Sequence, residues 1–152
     1  MKIFKVVSVL FLIGFFVFMY TDGGMNKISF DDIKGEMKAQ VKMSDFNQIN
    51  DKGLMKLMGI NQGEVSDYLY LKSKYTMIAD EMLVVKVSNK GQLAAIEKKV
   101  EARTNSQAKV FGGYAPKEAG KVNNYIFTTR GVYGFYGVAK EVEEWEKAFN
   151  GI

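Results

Sequence analysis

Residues 79–113 constrain the fold more than any other stretch, because they read in succession as a buried strand, a tight turn and one long amphipathic helix. Met82, Leu83, Val84, Val85 and Val87 form a short apolar run with a β-branched bias, which suits a pleated strand near the middle of a sheet. At Asn89-Lys90-Gly91-Gln92 the period changes. Asn89 can cap the first free backbone N–H groups, and Gln92 stands three residues on, where a capping box places its reciprocal partner. Leu93, Ile96, Val100, Arg103 or Thr104, Gln107 and the Val110-Phe111 pair then recur at helical spacing, leaving Glu97, Lys98, Lys99 and Glu101 to water. Gly112-Gly113 is expected to stop this helix with a left-handed residue.

The chemistry open to such a chain is narrowed by what it lacks. Its 152 residues contain no Cys and no His, which removes thiol nucleophiles, Cys/His zinc sites, the Ser-His-Asp arrangement and imidazole acid–base catalysis together. No glycine-rich phosphate loop surrounds Gly112-Gly113, and no cofactor or metal site is implied. The net charge of +4 is modest and its lysines are interleaved with acids, so nucleic acid is not an expected partner.

The chain opens with Lys2 and Lys5 followed by an uncharged apolar run to Tyr20, the pattern of an export signal or a membrane anchor. No Ala-x-Ala cleavage site follows it, and the run is rather short for a bilayer-spanning helix, so cleavage and retention stay open. Either way the two lysines stay cytoplasmic and the remainder lies outside the cytoplasm. The expected division is residues 1–22 as signal peptide or anchor, 23–28 as spacer, and 29–152 as one extracytoplasmic domain. Ser29 should cap a helix carrying Phe30, Ile33, Met37 and Val41 as its apolar stripe. Lys34, Lys38 and Lys42 on its other side could meet anionic lipid, but a solvated face is the preferred reading. A short helix is expected between Gly53 and Gly59, and a strand over residues 65–72. Met37, Met43, Met55 and Met58 are read as core filling in preference to a promiscuous groove. Pro116 suits the first position of a short helix ended by Asn123-Asn124. Strands over residues 125–129 and 132–138 should form a hairpin turning at Arg130-Gly131. A last helix buries Val142, Trp145 and Phe149.

Two strands followed by a helix thus occur twice. The expected fold is α+β: a four-stranded, mainly antiparallel sheet from two strand–strand–helix units, with the helices packed on one face and an N-terminal signal or anchor helix ahead of it. The Asp80-Glu81 pair before an apolar strand, the long helix, Tyr114-Ala115-Pro116-Lys117-Glu118, the hairpin at Gly131 and the closing helix resemble a family of small bacterial extracytoplasmic proteins catalogued as a domain of unknown function. The resemblance spans residues 55–149. It implies a secreted or lipid-anchored protein, although the absence of Cys after the leader excludes acylation here and leaves the apolar segment as the anchor.

Two groups of side chains are candidates for a site. Asp80 and Glu81 are adjacent acids at the head of the central strand, and a carboxylate pair can act as general acid and base. Neighbours in a strand point to opposite faces, however, and the favoured role is structural, with Arg103, Lys109 or a loop N–H as partner. A ligand carboxylate or phosphate on Arg103 is the sharper alternative. Tyr125, Phe127, Tyr133, Phe135 and Tyr136 crowd the terminal hairpin beside Gly134 and Gly137, where an exposed aromatic strip would suit peptide or carbohydrate recognition. If the N-terminal segment covers the second sheet face, those rings are core instead. The expected function is a non-enzymatic protein or peptide interaction module of the cell envelope, membrane-tethered through residues 1–20 or secreted. Its partner would be an envelope protein, a peptide or a glycan. The alternative is a carboxylate-dependent hydrolase of cell-wall sugars acting through Asp80 or Glu81.

Overall fold

A computed structural model describes residues 28–152, so the expected signal or anchor lies outside the described residues. In chain order the elements are α1 (Phe30–Ala39), β1 (Phe46–Gln48), α2 (Asp51–Met58), β2 (Asp67–Ser73), β3 (Glu81–Lys86), α3 (Leu93–Gly112), α4 (Pro116–Asn123), β4 (Ile126–Arg130), β5 (Tyr133–Val138) and α5 (Val142–Gly151). The strands make one antiparallel sheet in the order β1-β2-β3-β5-β4. As its valine-rich run predicts, β3 is central, and its residues from Glu81 to Val85 are all buried.

Two corrections follow. The sheet has five strands and not four, because Phe46–Gln48 pairs with Leu71, Lys72 and Ser73 at one edge. Three residues with one half-buried side chain carry no readable alternation, which is why the segment gives no strand signal. The helices also lie on both faces and not one. Leu54, Met58, Leu93, Ile96, Val100, Phe111 and Val122 from α2, α3 and α4 pack on Tyr70, Leu83, Val85 and Tyr136. On the opposite face Phe30, Ile33 and Met37 of α1 join Val142, Trp145 and Phe149 of α5 over Leu69, Leu71, Met82, Val84 and Phe135. The inner strands are apolar on alternate and intervening residues alike, so leaving either face in water would expose a row of large side chains.

Local chemistry sets most element ends. Ser29 and Asp32 form a capping box on α1, and Asn89 and Gln92 form one on the 3₁₀ turn Lys90–Gln92 that leads into α3. Pro116 is the first residue of α4. Gly59 ends α2 at φ 67°, while Gly53 lies inside that helix. The expected left-handed stop at Gly112-Gly113 does not occur: Gly113 has φ −77°, and the N–H groups of Tyr114 and Ala115 both donate to the Phe111 carbonyl. The chain tightens in right-handed geometry until Pro116, which has no N–H to continue the ladder. In the terminal hairpin Arg130 pairs with Tyr133 across the two-residue loop Gly131-Val132, and Gly131 supplies the positive φ of 59° that such a loop needs at its first position.

Candidate functional site

Glu81 begins β3 on the face covered by α3, and there it meets Arg103. Arg103 Nε donates to Glu81 Oε1 at 3.1 Å and Nη2 to Oε2 at 2.9 Å, a bidentate pair in which the side chains are 8% and 2% exposed. Two strand neighbours complete the carboxylate's coordination. Tyr136 Oη donates to Oε1 at 2.7 Å and Tyr70 Oη to Oε2 at 3.1 Å. Every buried side-chain polar atom among the described residues has a partner. Burial, then the Glu81 charge, pushes both phenol groups well above the usual tyrosine range, so they stay protonated donors. Burial alone would lower the Arg103 pKa, but the hydrogen bonds and charge of Glu81 outweigh it and raise it.

Asp80, one residue earlier, points elsewhere, as strand alternation requires. Its carboxylate takes a hydrogen bond from Lys121, and Lys121 also pairs with Glu118 at 2.7 Å. Glu118 Oε2 in turn accepts the Ala79 N–H at 2.8 Å, tying the start of β3 to α4. Burial raises the Asp80 pKa despite Lys121, helped by the nearby charges of Glu118 and Glu141. Glu118 moves the other way: burial opposes ionisation, yet the Ala79 N–H and Lys121 hold it below its ordinary value. Of the sequence candidates, the fold therefore unites Glu81 with Arg103 and Tyr136, and separates Asp80 from all three. Tyr70, Glu118 and Lys121 were not read from the sequence. A signal for Tyr70 existed, since a tyrosine inside an apolar strand needs an acceptor for its hydroxyl.

The hairpin rings divide between the two cores. Phe135 is buried against Phe149 with ring centroids 5.5 Å apart, and Tyr136 is buried beside Tyr125 at 6.0 Å. Tyr133 stacks on Phe30 at 5.8 Å, and Phe127 packs half-buried on the α3 side. The two hairpin glycines are places of close approach. A Cβ on Gly137 would meet Phe135 Cζ at 2.8 Å and Val142 Cγ2 at 2.9 Å, and one on Gly134 would meet Leu93 and Val85 at 3.1 Å.

What the hairpin leaves open is backbone. Among the described residues β4 pairs with β5 alone and forms an outer edge of the sheet. A two-residue loop makes the flanking Arg130–Tyr133 pair hydrogen-bonded, and such pairs alternate along an antiparallel ladder. Ile126, Thr128 and Arg130 therefore turn their N–H and C=O groups to β5, whereas Phe127 and Thr129 turn theirs to the open edge. A groove of about 680 Å³ runs beside the start of β4, lined by Lys117, Lys121, Asn123, Tyr125, Lys140 and Glu143 among others. No group of three or more acids able to hold a metal ion occurs among the described residues.

Fold and site together define a three-layer α+β domain: an antiparallel sheet clad by helices on both faces, pinned at its centre by a buried tyrosine–glutamate–arginine cluster and bounded among the described residues by the short β1 and by β4. The chain belongs to the family described as "Domain of unknown function (DUF4358)", which it matches over residues 39–139. That span starts earlier than the sequence resemblance does, taking in β1 and all of α2, and it ends before α5. No curated protein and no solved structure matches the chain.

Proposed function

We propose that this chain is a non-enzymatic interaction module of the cell envelope, carried outside the cytoplasm by residues 1–20 and either tethered through them or released. Its working surface is the outer edge of the 126–138 hairpin. The observation that carries this is the pair of residues, Phe127 and Thr129, whose backbone groups face outward on a strand with one neighbour among the described residues. Such an edge recognises an extended chain by main-chain hydrogen bonds, and this favours a protein or peptide partner over a glycan. The hydrolase alternative asks for two carboxylates about 5–10 Å apart across an open cleft. Glu81 is instead buried, with both oxygens held by Arg103 and two tyrosines, and Asp80 is paired with Lys121.

Location is tested by fractionating cells that make the full-length chain and treating intact cells with protease from outside. The expected result is envelope or external protein cut by the added protease. A soluble cytosolic protein that retains Met1 and resists the protease overturns the proposal. Recognition is tested with a photo-cross-linking residue in place of Tyr125, beside the edge. Cross-links to an envelope protein should vanish in a Thr129→Pro variant, because that substitution removes an outward N–H and spares the ladder to β5.

A further inference from the structure

We propose that the end of the sheet where β2 passes into β3 is a lipid-binding surface, which seats the domain on an anionic bilayer through half-exposed apolar side chains rimmed with lysines. The surface is separate from the β4 edge, and it takes from the reading above only the membrane setting.

The overhang of α3 creates it. Twenty residues of helix extend about 30 Å, whereas the six residues of β3 extend about 20 Å. Leu93 and Val85 both abut Gly134 at one end of β3, and Arg103 meets Glu81 at the other, so the helix from Thr104 onward runs out past the strand. Val110 is seven residues beyond Arg103 and lies on nearly the same stripe, with no strand left to cover it. It is half-exposed, as is Tyr114 four residues on.

The connection from β2 to β3 supplies the rest. Lys74 donates from its N–H to the Asp45 carbonyl and from Nζ to the Ser44 carbonyl, and the Ala79 N–H is held by Glu118 of α4. Between these two fixed points the loop presents Tyr75 and Met77, both more than half exposed. Six large apolar side chains are exposed among the described residues, and five of them, with Met43 beside Ser44, lie at this end. Met43 and the sixth, Met55 on α2, were expected in the core. Single exposed apolar residues are ordinary, but their concentration at one end marks a contact surface.

Charge selects the occupant. Lys74, Lys109 and Lys117 surround these side chains, are exposed, and have no ion-pair partner among the described residues. The neighbouring acids are engaged: Asp45 faces Lys42, while Asp80 and Glu118 share Lys121 and leave a single negative charge in excess. Tyrosines with lysines around them are suited to the head-group layer of an anionic membrane. The four half-exposed side chains line neither the groove beside β4 nor the one between α1 and Tyr68; they stand on a loop and a helix end, which can enter that layer.

Chain length permits the seating. α1 starts beside Tyr133, at the other end of the sheet. The eight steps from Tyr20 to Ile28 reach at most about 26–29 Å, more than the length of β3, so the bilayer that holds residues 1–20 is within reach of this end.

The chain has no cysteine, so a single probe can be attached at a chosen residue. Full-length Thr76→Cys protein carrying an environment-sensitive fluorophore is reconstituted in phosphatidylcholine vesicles with and without phosphatidylglycerol, with brominated acyl chains as quencher. Glu97→Cys on α3 and Lys90→Cys at the far end of the sheet, both exposed, are the controls. The probe at residue 76 should be quenched in the phosphatidylglycerol vesicles and released by salt, and the controls should not be quenched. One lysine near an anionic surface is worth about fivefold, so Lys109→Gln with Lys117→Gln should weaken docking roughly thirtyfold at an unchanged melting temperature. Tyr75→Ser with Met77→Ser, which alters no charge, should also release the probe. No quenching at residue 76, equal quenching at all three positions, or quenching that survives both double variants overturns the proposal. Emission that shifts with protein concentration in the absence of lipid identifies a second copy as the occupant and overturns it as well. Neither result changes the outcome of fractionation or of the Tyr125 cross-links, so docking and the interaction module fail separately.

Discussion

Replacing Arg103 by Met isolates the energetics of the buried cluster. Glu81 is 2% exposed and would keep two tyrosine hydroxyls but lose its counter-charge. Breaking a buried pair from one side costs about 3–5 kcal/mol, because a charge is left uncompensated in the interior. That is a large part of the roughly 5–15 kcal/mol by which domains are stable. Removing both charges, as in Glu81→Leu with Arg103→Met, cures the charge and strands the hydroxyls of Tyr70 and Tyr136, at about 1–3 kcal/mol for each unsatisfied group. Adding Tyr70→Phe and Tyr136→Phe removes those too, and the fourfold variant should return close to wild-type stability. Trp145, the single tryptophan, is buried in the core on the other face and reports global unfolding. Urea titration followed by its fluorescence should give a non-monotonic series: steep loss in Arg103→Met, near recovery in the fourfold variant. An Arg103→Met loss below about 1 kcal/mol, or a fourfold variant as unstable as the single one, would refute the role assigned to the pair.

Two further outcomes follow from the same geometry. Glu118 has its folded pKa below 4.5, so its contribution is present above that value and lost as pH falls through the folded pKa; Asp80 is raised above 3.8 and binds its proton more readily when folded. Acid titration of stability should therefore be shallower in Glu118→Gln and steeper in Asp80→Asn than in wild type, and identical slopes would contradict the assignment. Gly137→Ala puts a methyl within 3 Å of Phe135 and Val142 and should cost about 1–3 kcal/mol in urea, whereas Gly35→Ala, with open space at its Cβ, should not destabilise.

How much of this was legible in sequence depends on the range of the interaction concerned. Ser29, Asn89 and Pro116 were readable as helix starts because a cap acts within three residues of itself. The Glu81–Arg103 pair was readable in outline, since an arginine on an apolar helical stripe needs a carboxylate, and Asp80 and Glu81 stood at the head of the strand that stripe would cover. Which of the two acids it takes depends on strand phase, and Lys121 as the partner of the other depends on where α4 docks. Neither is encoded locally. The division of α3 and α5 between opposite faces was hidden for a related reason: a stripe shows that a helix must be buried, without showing on which side of the sheet. The hairpin aromatics gave a strong signal for area, and the fold places that area within or against the cores. The open feature beside them is backbone, to which composition is blind.

Amide hydrogen exchange along β4 tests the central claim most directly, because it reads the backbone edge itself. In the dilute full-length chain the amides of Ile126, Thr128 and Arg130 should be protected by β5, while those of Phe127 and Thr129 exchange freely. Phe127 and Thr129 amides already protected at high dilution would mean that the edge is closed by the chain itself, and the account built on it would be wrong.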